Sequence, residues 1–582
     1  MLKPFYLIIT ALLLFSCARV GSPVGGQRDT IAPRVIGSNI DTPRVNVPVN
    51  LKELRISFDE YITLKDANKN LIISPPIRKI KRILPSSLAT KEIVIQWEDT
   101  LQANTTYSFN FGSSIQDHNE SNMLPYYNYA FSTGEKIDDL YISGEVTEAL
   151  QIKAVPAKVS RVVGLYQDKD SMDYRQKPYY ITRVDDDGYY ELNYLSPGTY
   201  RIIAFEDANS NSVYDPGKEK VGFRKEPVVV ENSVSGLPIS LFPSKKAFRY
   251  QEMKDMPGGV QMLFEGNPQS VEVKAVSEKL KEYKVTHRSK SDTVKIWFDA
   301  LKQSIGTDVS ENLRFSYAAE GKQDTVSLFY KRNPDAEMVI SNDGGALLPP
   351  QTDFKVTSNY IIDRIQPEKW TLTIDSLTAV PFTARISETN PYQILVNAAF
   401  VEGNKYQLTI PSKTVSSFYE STAKPYRFDF EADKVQNFGS FTARLSNKPE
   451  ARFWLQLLDS SEKVQYTTFT DAAEVKFNIV KPGEYFVRIL VDNNGNGHWD
   501  EADFLNQQFA EDAYIFYKKV NIRPLWELVE DWDLKDTRRL DPVKPESTAP
   551  QATTPNTSAP VRNPQIRGTV PGTRPERTLE RR

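Results

Sequence analysis

Apolar and polar residues alternate in short runs along most of the chain. Leu54-Arg55-Ile56-Ser57-Phe58 alternates cleanly, and Ile93-Val94-Ile95-Gln96-Trp97 and Tyr107-Ser108-Phe109-Asn110-Phe111 do so with minor breaks. A period of two turns one face of a strand to a core and the other to solvent. Pro, Gly, Asn and Asp punctuate the runs, as they do between the strands of sandwiches. No window shows a long amphipathic helix. The pattern predicts an all-β protein of tandem β-sandwiches, a multidomain rod. With 582 residues, at roughly 100–200 per domain, about three to five domains are expected.

Two kinds of segment recur. Residues 32–136 carry Pro33, Ile56-Ser57-Phe58-Asp59-Glu60, Leu101-Gln102-Ala103-Asn104-Thr105-Thr106-Tyr107, Ser114-Ile115-Gln116-Asp117 and Phe131-Ser132-Thr133. This set resembles the bacterial Ig-like domain of S-layer proteins. With the preceding Gly25-Gly26-Gln27-Arg28-Asp29-Thr30 it is similar to the Ig-like lipoproteins widespread in Bacteroidetes. Residues 137–242 carry Ile142-Ser143-Gly144-Glu145-Val146, Asp187-Gly188-Tyr189-Tyr190-Glu191-Leu192 and Leu195-Ser196-Pro197-Gly198-Thr199-Tyr200. These resemble the carboxypeptidase-regulatory-like, or prealbumin-like, sandwich, which implies a structural module without an active site.

The pair returns in weaker form. Val401–Leu408 and Tyr426–Phe430 echo the first type, and Val480-Lys481-Pro482-Gly483-Glu484-Tyr485 echoes Leu195–Tyr200. The next Asp follows seven residues after the tyrosine in both copies, Tyr200 to Asp207 and Tyr485 to Asp492. Such self-similarity indicates internal duplication. Residues 336–434 are then a second, diverged Ig-like domain, and 435–540 a second regulatory-like sandwich. Residues 243–335, between the pairs, read as a sandwich of uncertain type.

The ends have a different composition. Residues 1–16 read as a signal peptide: Lys3, then an apolar run too short to span a bilayer, which needs about 20 apolar residues. The run ends at Leu14-Phe15-Ser16-Cys17, on the chain's one cysteine. This resembles a bacterial lipobox, which implies lipidation of Cys17 and a membrane anchor, since each buried CH₂ contributes about 0.8 kcal/mol. Residues 17–31 form a Gly/Pro/Ser-rich tether. Ala18 after the cysteine, by resemblance to lipoprotein sorting rules, implies the outer membrane. Arg19-Val20-Gly21-Ser22 lacks the acidic run of surface-exported lipoproteins, which favours the periplasmic face over the cell surface. Residues 541–582 are rich in Pro, Thr and Arg and read as a disordered tail.

Lys and Arg number 72 against 75 Asp and Glu, so no basic excess points to nucleic acid. One cysteine and three histidines leave little for a Cys/His zinc site or a histidine-based catalytic centre. No G-x-S-x-G, P-loop or H-E-x-x-H motif occurs. The candidate chemistry is a pair of Asx-rich loops. Asp492, Asn494, Asn496, His498, Asp500 and Asp503 occupy positions 1, 3, 5, 7, 9 and 12 of a loop with Gly497 at position 6. This resembles EF-hand-like calcium loops, in which alternating oxygens wrap one Ca²⁺. Asp503 is one methylene shorter than the usual Glu, and two neutral Asn lower the charge, so weak binding is expected. The earlier copy, Asp207, Asn209, Asn211 and Asp215, has Ser212 in the glycine place and Lys218 at position 12, with Glu219 one further on. It is the poorer ligand set and the weaker metal candidate, and both loops also suit Asx-turns with no metal. The expected function is a non-enzymatic outer-membrane lipoprotein with a structural, adhesive or scaffolding role. The alternative is a glycan- or peptide-binding accessory component of an envelope export or uptake complex.

Overall fold

In the computed structural model, which describes residues 29–153, 159–169, 173–375 and 378–541, the alternation becomes burial. Along Glu53–Leu64, Leu54, Ile56 and Phe58 point into a core while Arg55 and Asp59 face out. Along Glu311–Ala319, Leu313, Phe315, Tyr317 and Ala319 do the same. The protein is all-β. Among the described residues the only α-helix is a single turn, Ala67–Asn70. Cys17, the signal peptide, most of the tether and the tail beyond Asp541 lie outside the described residues.

Successive stretches of chain close into sandwiches, each around its own apolar cluster. In the first, Val35–Ser38, Glu53–Leu64, Thr90–Trp97 and Ile80–Leu84 lie side by side in that order. Ile72–Ser74, Thr106–Asn110 and Asn128–Ser132 form the facing sheet. Counted along the chain, and setting aside short accessory strands, the order is first-second-fifth-fourth over third-sixth-seventh. That is the strand order of a constant-type immunoglobulin sandwich.

The stretch 336–434 repeats it. Ile340–Ser341, Phe354–Ser358, Gln393–Ala398 and Phe382–Ile386 face Thr371–Ile374, Lys405–Ile410 and Tyr426–Ala432. A shared corner marks the kinship. Tyr107 Oη accepts the Gln102 N–H at 2.8 Å, and Tyr406 Oη accepts the Val401 N–H at 2.7 Å. Three residues before each tyrosine the backbone is left-handed, at Asn104 (φ 49°) and Gly403 (φ 77°), where Asn and Gly are the residues best tolerated.

The stretch of unassigned type has the same order. Arg249–Met256, Gly259–Glu265, Thr293–Trp297 and Lys284–His287 face Glu272–Ala275, Glu311–Ala319 and Lys322–Tyr330. It lacks the tyrosine corner, for Leu313 sits inward in its sixth strand, so no motif announces it.

The two remaining sandwiches match each other. In the earlier, Tyr180–Arg183, Ser160–Gln167, Gly198–Asp207 and Val221–Phe223 form one sheet, and Tyr189–Leu195, Leu140–Glu148 and Ile239–Leu241 the other. In the later, Val464–Thr470, Phe453–Leu458, Gly483–Val491 and Ala513–Ile515 face Glu474–Val480, Gly439–Ser446 and Glu527–Asp533. In both, the closing strand joins the smaller sheet in parallel. The turn tyrosine also repeats its bond: Tyr200 Oη donates to the Ser196 carbonyl at 2.8 Å, and Tyr485 Oη to the Lys481 carbonyl at 2.9 Å. Along the chain the first, third and fourth sandwiches therefore share the Ig-type strand order, and the second and fifth share another.

The tandem order does not make a simple end-to-end rod. The fifth sandwich turns back onto the second. Ile152 of the second packs with Leu458 and Phe486 of the fifth, and Arg539 Nη1 reaches Glu145 Oε1 at 2.9 Å. The physical reason lies in the second sandwich. Its larger sheet is apolar on both faces: Val163, Leu165, Ile202 and Ala204 serve its own core, while Val162, Tyr166, Ile203, Phe205 and Phe223 crowd the outer face. An apolar outer face is stable in water only when covered. Here Ile72 of the first sandwich and Ala502 and Phe504 of the fifth cover it.

Candidate functional site

The two Asx-rich loops leave the ends of equivalent strands, Gly198–Asp207 and Gly483–Val491. They are built nearly bond for bond alike. Asp207 Oδ1 accepts the Asn211 N–H at 2.9 Å and its Oδ2 the Ser212 N–H at 3.2 Å. Asp492 does the same to Asn496 and Gly497, both at 2.9 Å. Asn209 and Asn494 each accept from the residue at position 5 at 3.0 Å. Each also donates from Nδ2 to the carboxylate at position 9, Asp215 at 2.6 Å and Asp500 at 2.7 Å. Asn211 and Asn496 cap the N–H two residues on. Position 6 is left-handed in both, at Ser212 (φ 60°) and Gly497 (φ 78°).

A further carboxylate closes each loop, and it is not the one at position 12. Glu219 bridges the Ala208 and Asp215 N–H groups at 2.9 and 2.8 Å. Glu511 bridges the Asn494 and Asp500 N–H groups at 3.1 and 2.9 Å. Both glutamates are buried, as are Asp207 and Asp492. Asp503 stands apart: its oxygens accept from Asn506 N and Nδ2. The structure thus brings Asp492, Asn494, Asn496 and Asp500 together, adds Glu511, and leaves Asp503 outside. His498 contributes its backbone N–H to the loop, bound to Asn496 Oδ1. Glu219 was visible one place past the loop's twelfth position. Glu511 was not, because a loop-length window ends well before it.

Burial pushes the Glu219 carboxyl up to about 7, and the charges of Asp215 and Asp207 add to the rise. Around Asp500 burial acts in the same direction, but hydrogen bonds from Asn494, Lys290 and Asn496 outweigh it and its carboxyl lies below the usual range. Lys290 Nζ, from the third sandwich, approaches Asp500 Oδ1 at 3.1 Å. Among the described residues no three of His, Cys, Asp and Glu converge on one point. In the loops the acids sit around the backbone they bind, with Asn amides between them.

The later loop is also the clasp of the molecule. Just past it, Phe504, 2% exposed, inserts against the second sandwich. Its ring meets Tyr174 at 4.3 Å, Phe223 at 5.1 Å and Tyr214 at 5.7 Å between centroids, all edge-on. Tyr214 belongs to the earlier Asx loop, so the two loops meet. Ser244 and Ala502 form a parallel bridge beside them. Of the paired tyrosines Tyr126-Tyr127, Tyr179-Tyr180 and Tyr189-Tyr190, Tyr180 and Tyr190 are buried in the core of the second sandwich, whereas Tyr126 is exposed.

These features define a class: a multidomain β-sandwich protein with repeated immunoglobulin-type topology. Residues 29–133 match the family model described as Bacterial Ig-like domain, so the first sandwich carries that domain. No curated protein matches the chain. Among solved structures, domains 1–6 of the surface layer protein SbsC share 10% identity over 85% of this chain and 68% of that one, at a TM-score of 0.15. The BSP domain of a biofilm-associated protein shares 10% over 85% and 98%, at 0.14. A Bacteroides ovatus protein, SGBP-B of a mixed-linkage glucan utilization locus, solved with a heptasaccharide, shares 9% over 66% and 94%, at 0.17. Among the described residues no helix is long and apolar enough to cross a membrane.

Proposed function

We propose that this is a non-enzymatic lipoprotein of the bacterial cell envelope, which uses its tandem Ig-type and regulatory-type sandwiches as a scaffold or adhesive spacer at the outer membrane. The observation that carries the reading is the apolar run ending Leu14-Phe15-Ser16-Cys17 on the sole cysteine, ahead of a Gly/Pro/Ser-rich tether and a body of sandwiches. Acyl chains on Cys17 would hold the body at the membrane, and the absence of an acidic run after Cys17 supports the periplasmic face. The expected partner is another envelope protein or a glycan.

Metabolic labelling with an alkynyl fatty acid tests this directly. The wild-type chain should be labelled and sediment with membranes. Cys17→Ala should lose the label entirely and move to the soluble or precursor fraction; equal labelling of the variant would refute the anchor.

Within this reading the Asx loops bind Ca²⁺ weakly and stiffen the clasp. The residues that would hold it, once turned from their present backbone and amide partners toward one point, are Asp492, Asn494, Asn496, Asp500 and Glu511, with Asp207, Asn209, Asn211, Asp215 and Glu219 in the earlier loop. What supports this is four buried carboxylates, Asp207, Glu219, Asp492 and Glu511, whose hydrogen bonds among the described residues come from backbone N–H groups. At tenfold excess over a millimolar Kd, Ca²⁺ should stabilise by about 1.4 kcal/mol. Thermal melts with Ca²⁺ and with chelator check it: identical curves reject the metal.

A further inference from the structure

The third and fourth sandwiches meet at a cleft of about 240 Å³, lined by Asp255, Asp299, Tyr330, Arg332, Tyr360 and Glu420 among others. Its walls are held firmly. Trp297, from the third sandwich, is built into the apolar cluster of the fourth. Gly258 is left-handed (φ 81°), and a Cβ there would meet the Tyr360 ring at 2.4 Å, so only glycine lets the two surfaces close. Tyr360 Oη is tied to the Ala336 carbonyl at 3.1 Å.

The polar groups of this cleft are not similarly tied. Tyr330 is only 5% exposed, yet its hydroxyl lines the cleft with no hydrogen-bond partner among the described residues. The Asp255 and Glu420 side chains, and the Arg332 guanidinium, also make no hydrogen bond or ion pair among the described residues. Asp299 spends one oxygen on the Lys302 N–H at 2.8 Å. Burial raises the Glu420 carboxyl and the Asp299 charge raises it further, while the Arg332 guanidinium pulls it down; burial alone raises that of Asp255. Three carboxylates therefore share the cleft with the Arg332 guanidinium and the Lys331 ammonium, between aromatic walls.

We propose that this cleft is a binding site for a cationic group on a flexible aliphatic stem, the ammonium or guanidinium of a lysine or arginine side chain in a peptide segment. Asp255 and Glu420 receive the charge, the Tyr330 hydroxyl accepts one N–H, and the Tyr330 and Tyr360 rings flank the stem. Carboxylates favour a cation over a neutral polyol because charge-assisted hydrogen bonds are the stronger kind. The inference is independent of the lipoprotein reading and of calcium.

Calorimetric titration of the full chain with N-acetyl-arginine amide and N-acetyl-lysine amide, beside N-acetyl-glutamine amide, tests it. At least one cationic probe should saturate with a Kd of about a millimolar, while the glutamine probe does not bind. The double variant D255N/E420Q should weaken binding about tenfold, and higher salt should weaken it in the wild type. Tyr330→Phe should weaken it a few-fold. Both acids lie at the rim, so the double variant should melt with the wild type; should it not, the salt dependence in the wild type decides. No saturation, equal binding of the glutamine probe, affinity unchanged in a folded double variant, or salt-insensitive binding would each overturn the proposal.

Discussion

Phe504→Ala should detach the fifth sandwich from the second. The Phe504 ring is buried among Tyr174, Tyr214 and Phe223, and a Phe-to-Ala change at such a site costs about 3–5 kcal/mol. The loss falls on one interface and spares the core of either sandwich, since Phe504 belongs to the outer-face cluster. Two readouts should move together. The radius of gyration from solution scattering should rise as the fifth sandwich swings free, and the loop around 499–510 should become a protease site. Phe504→Leu, which keeps most of the volume, should lose about 1.5 kcal/mol or less and stay closed. Unchanged scattering for Phe504→Ala would mean that the remaining contacts, among them Ile152 with Leu458 and Phe486, the Phe223–Phe509 stack, the Ser244–Ala502 bridge and the Arg539–Glu145 pair, hold the arrangement.

Trp297→Ala is expected to have a comparable effect at the other junction. Trp297 ends the strand Thr293–Trp297 of the third sandwich, yet packs with the fourth, 1% exposed, near Tyr360 and Tyr392. Its Nε1 donates to Thr286 Oγ1 at 2.8 Å, so truncation also strips a hydroxyl of its donor. Loss of the ring should cost about 3–5 kcal/mol. Because the residue bridges two sandwiches, the loss should also uncouple them. Chemical denaturation of the wild type should show the pair unfolding together, and the variant should show the fourth sandwich melting earlier as a separate step. A variant that keeps one coincident, unshifted transition would show that the two sandwiches are coupled elsewhere.

The strands and their inward faces could be read from the chain, because a period of two leaves little freedom over which side chains meet the core. The kinship of residues 336–434 with 32–136 was legible for a similar reason: a tyrosine corner needs a tyrosine, and a left-handed residue before it, at a fixed offset. The third sandwich shows the limit. It has the same strand order, but topology is a property of long-range pairing, and without a local corner nothing in the sequence marks it. The Asx loops show both sides at once. Their turn-forming Asp and Asn act on backbone a few residues away and were found by spacing. Glu511 acts from the strand side of the loop and was invisible to spacing, while Asp503, placed at the expected twelfth position, turns to Asn506.

The sequence by itself determined the all-β class, the repetition of two module types, the two Asx loops and the lone cysteine behind its apolar run. Each rests on local chemistry: alternation, turn residues and a short motif. Even the doubly apolar sheet left a trace, for Arg161-Val162-Val163-Gly164-Leu165-Tyr166 and Ile202-Ile203-Ala204-Phe205 do not alternate. They announce that both faces are covered without saying by what. Only the tertiary structure decided that Phe504 covers the outer face, that Trp297 joins two sandwiches, and that Asp255, Tyr330 and Glu420 share one cleft. Those partners lie far apart in sequence, and hydrophobic burial, being non-directional, selects them by shape and position in space and not by any local code.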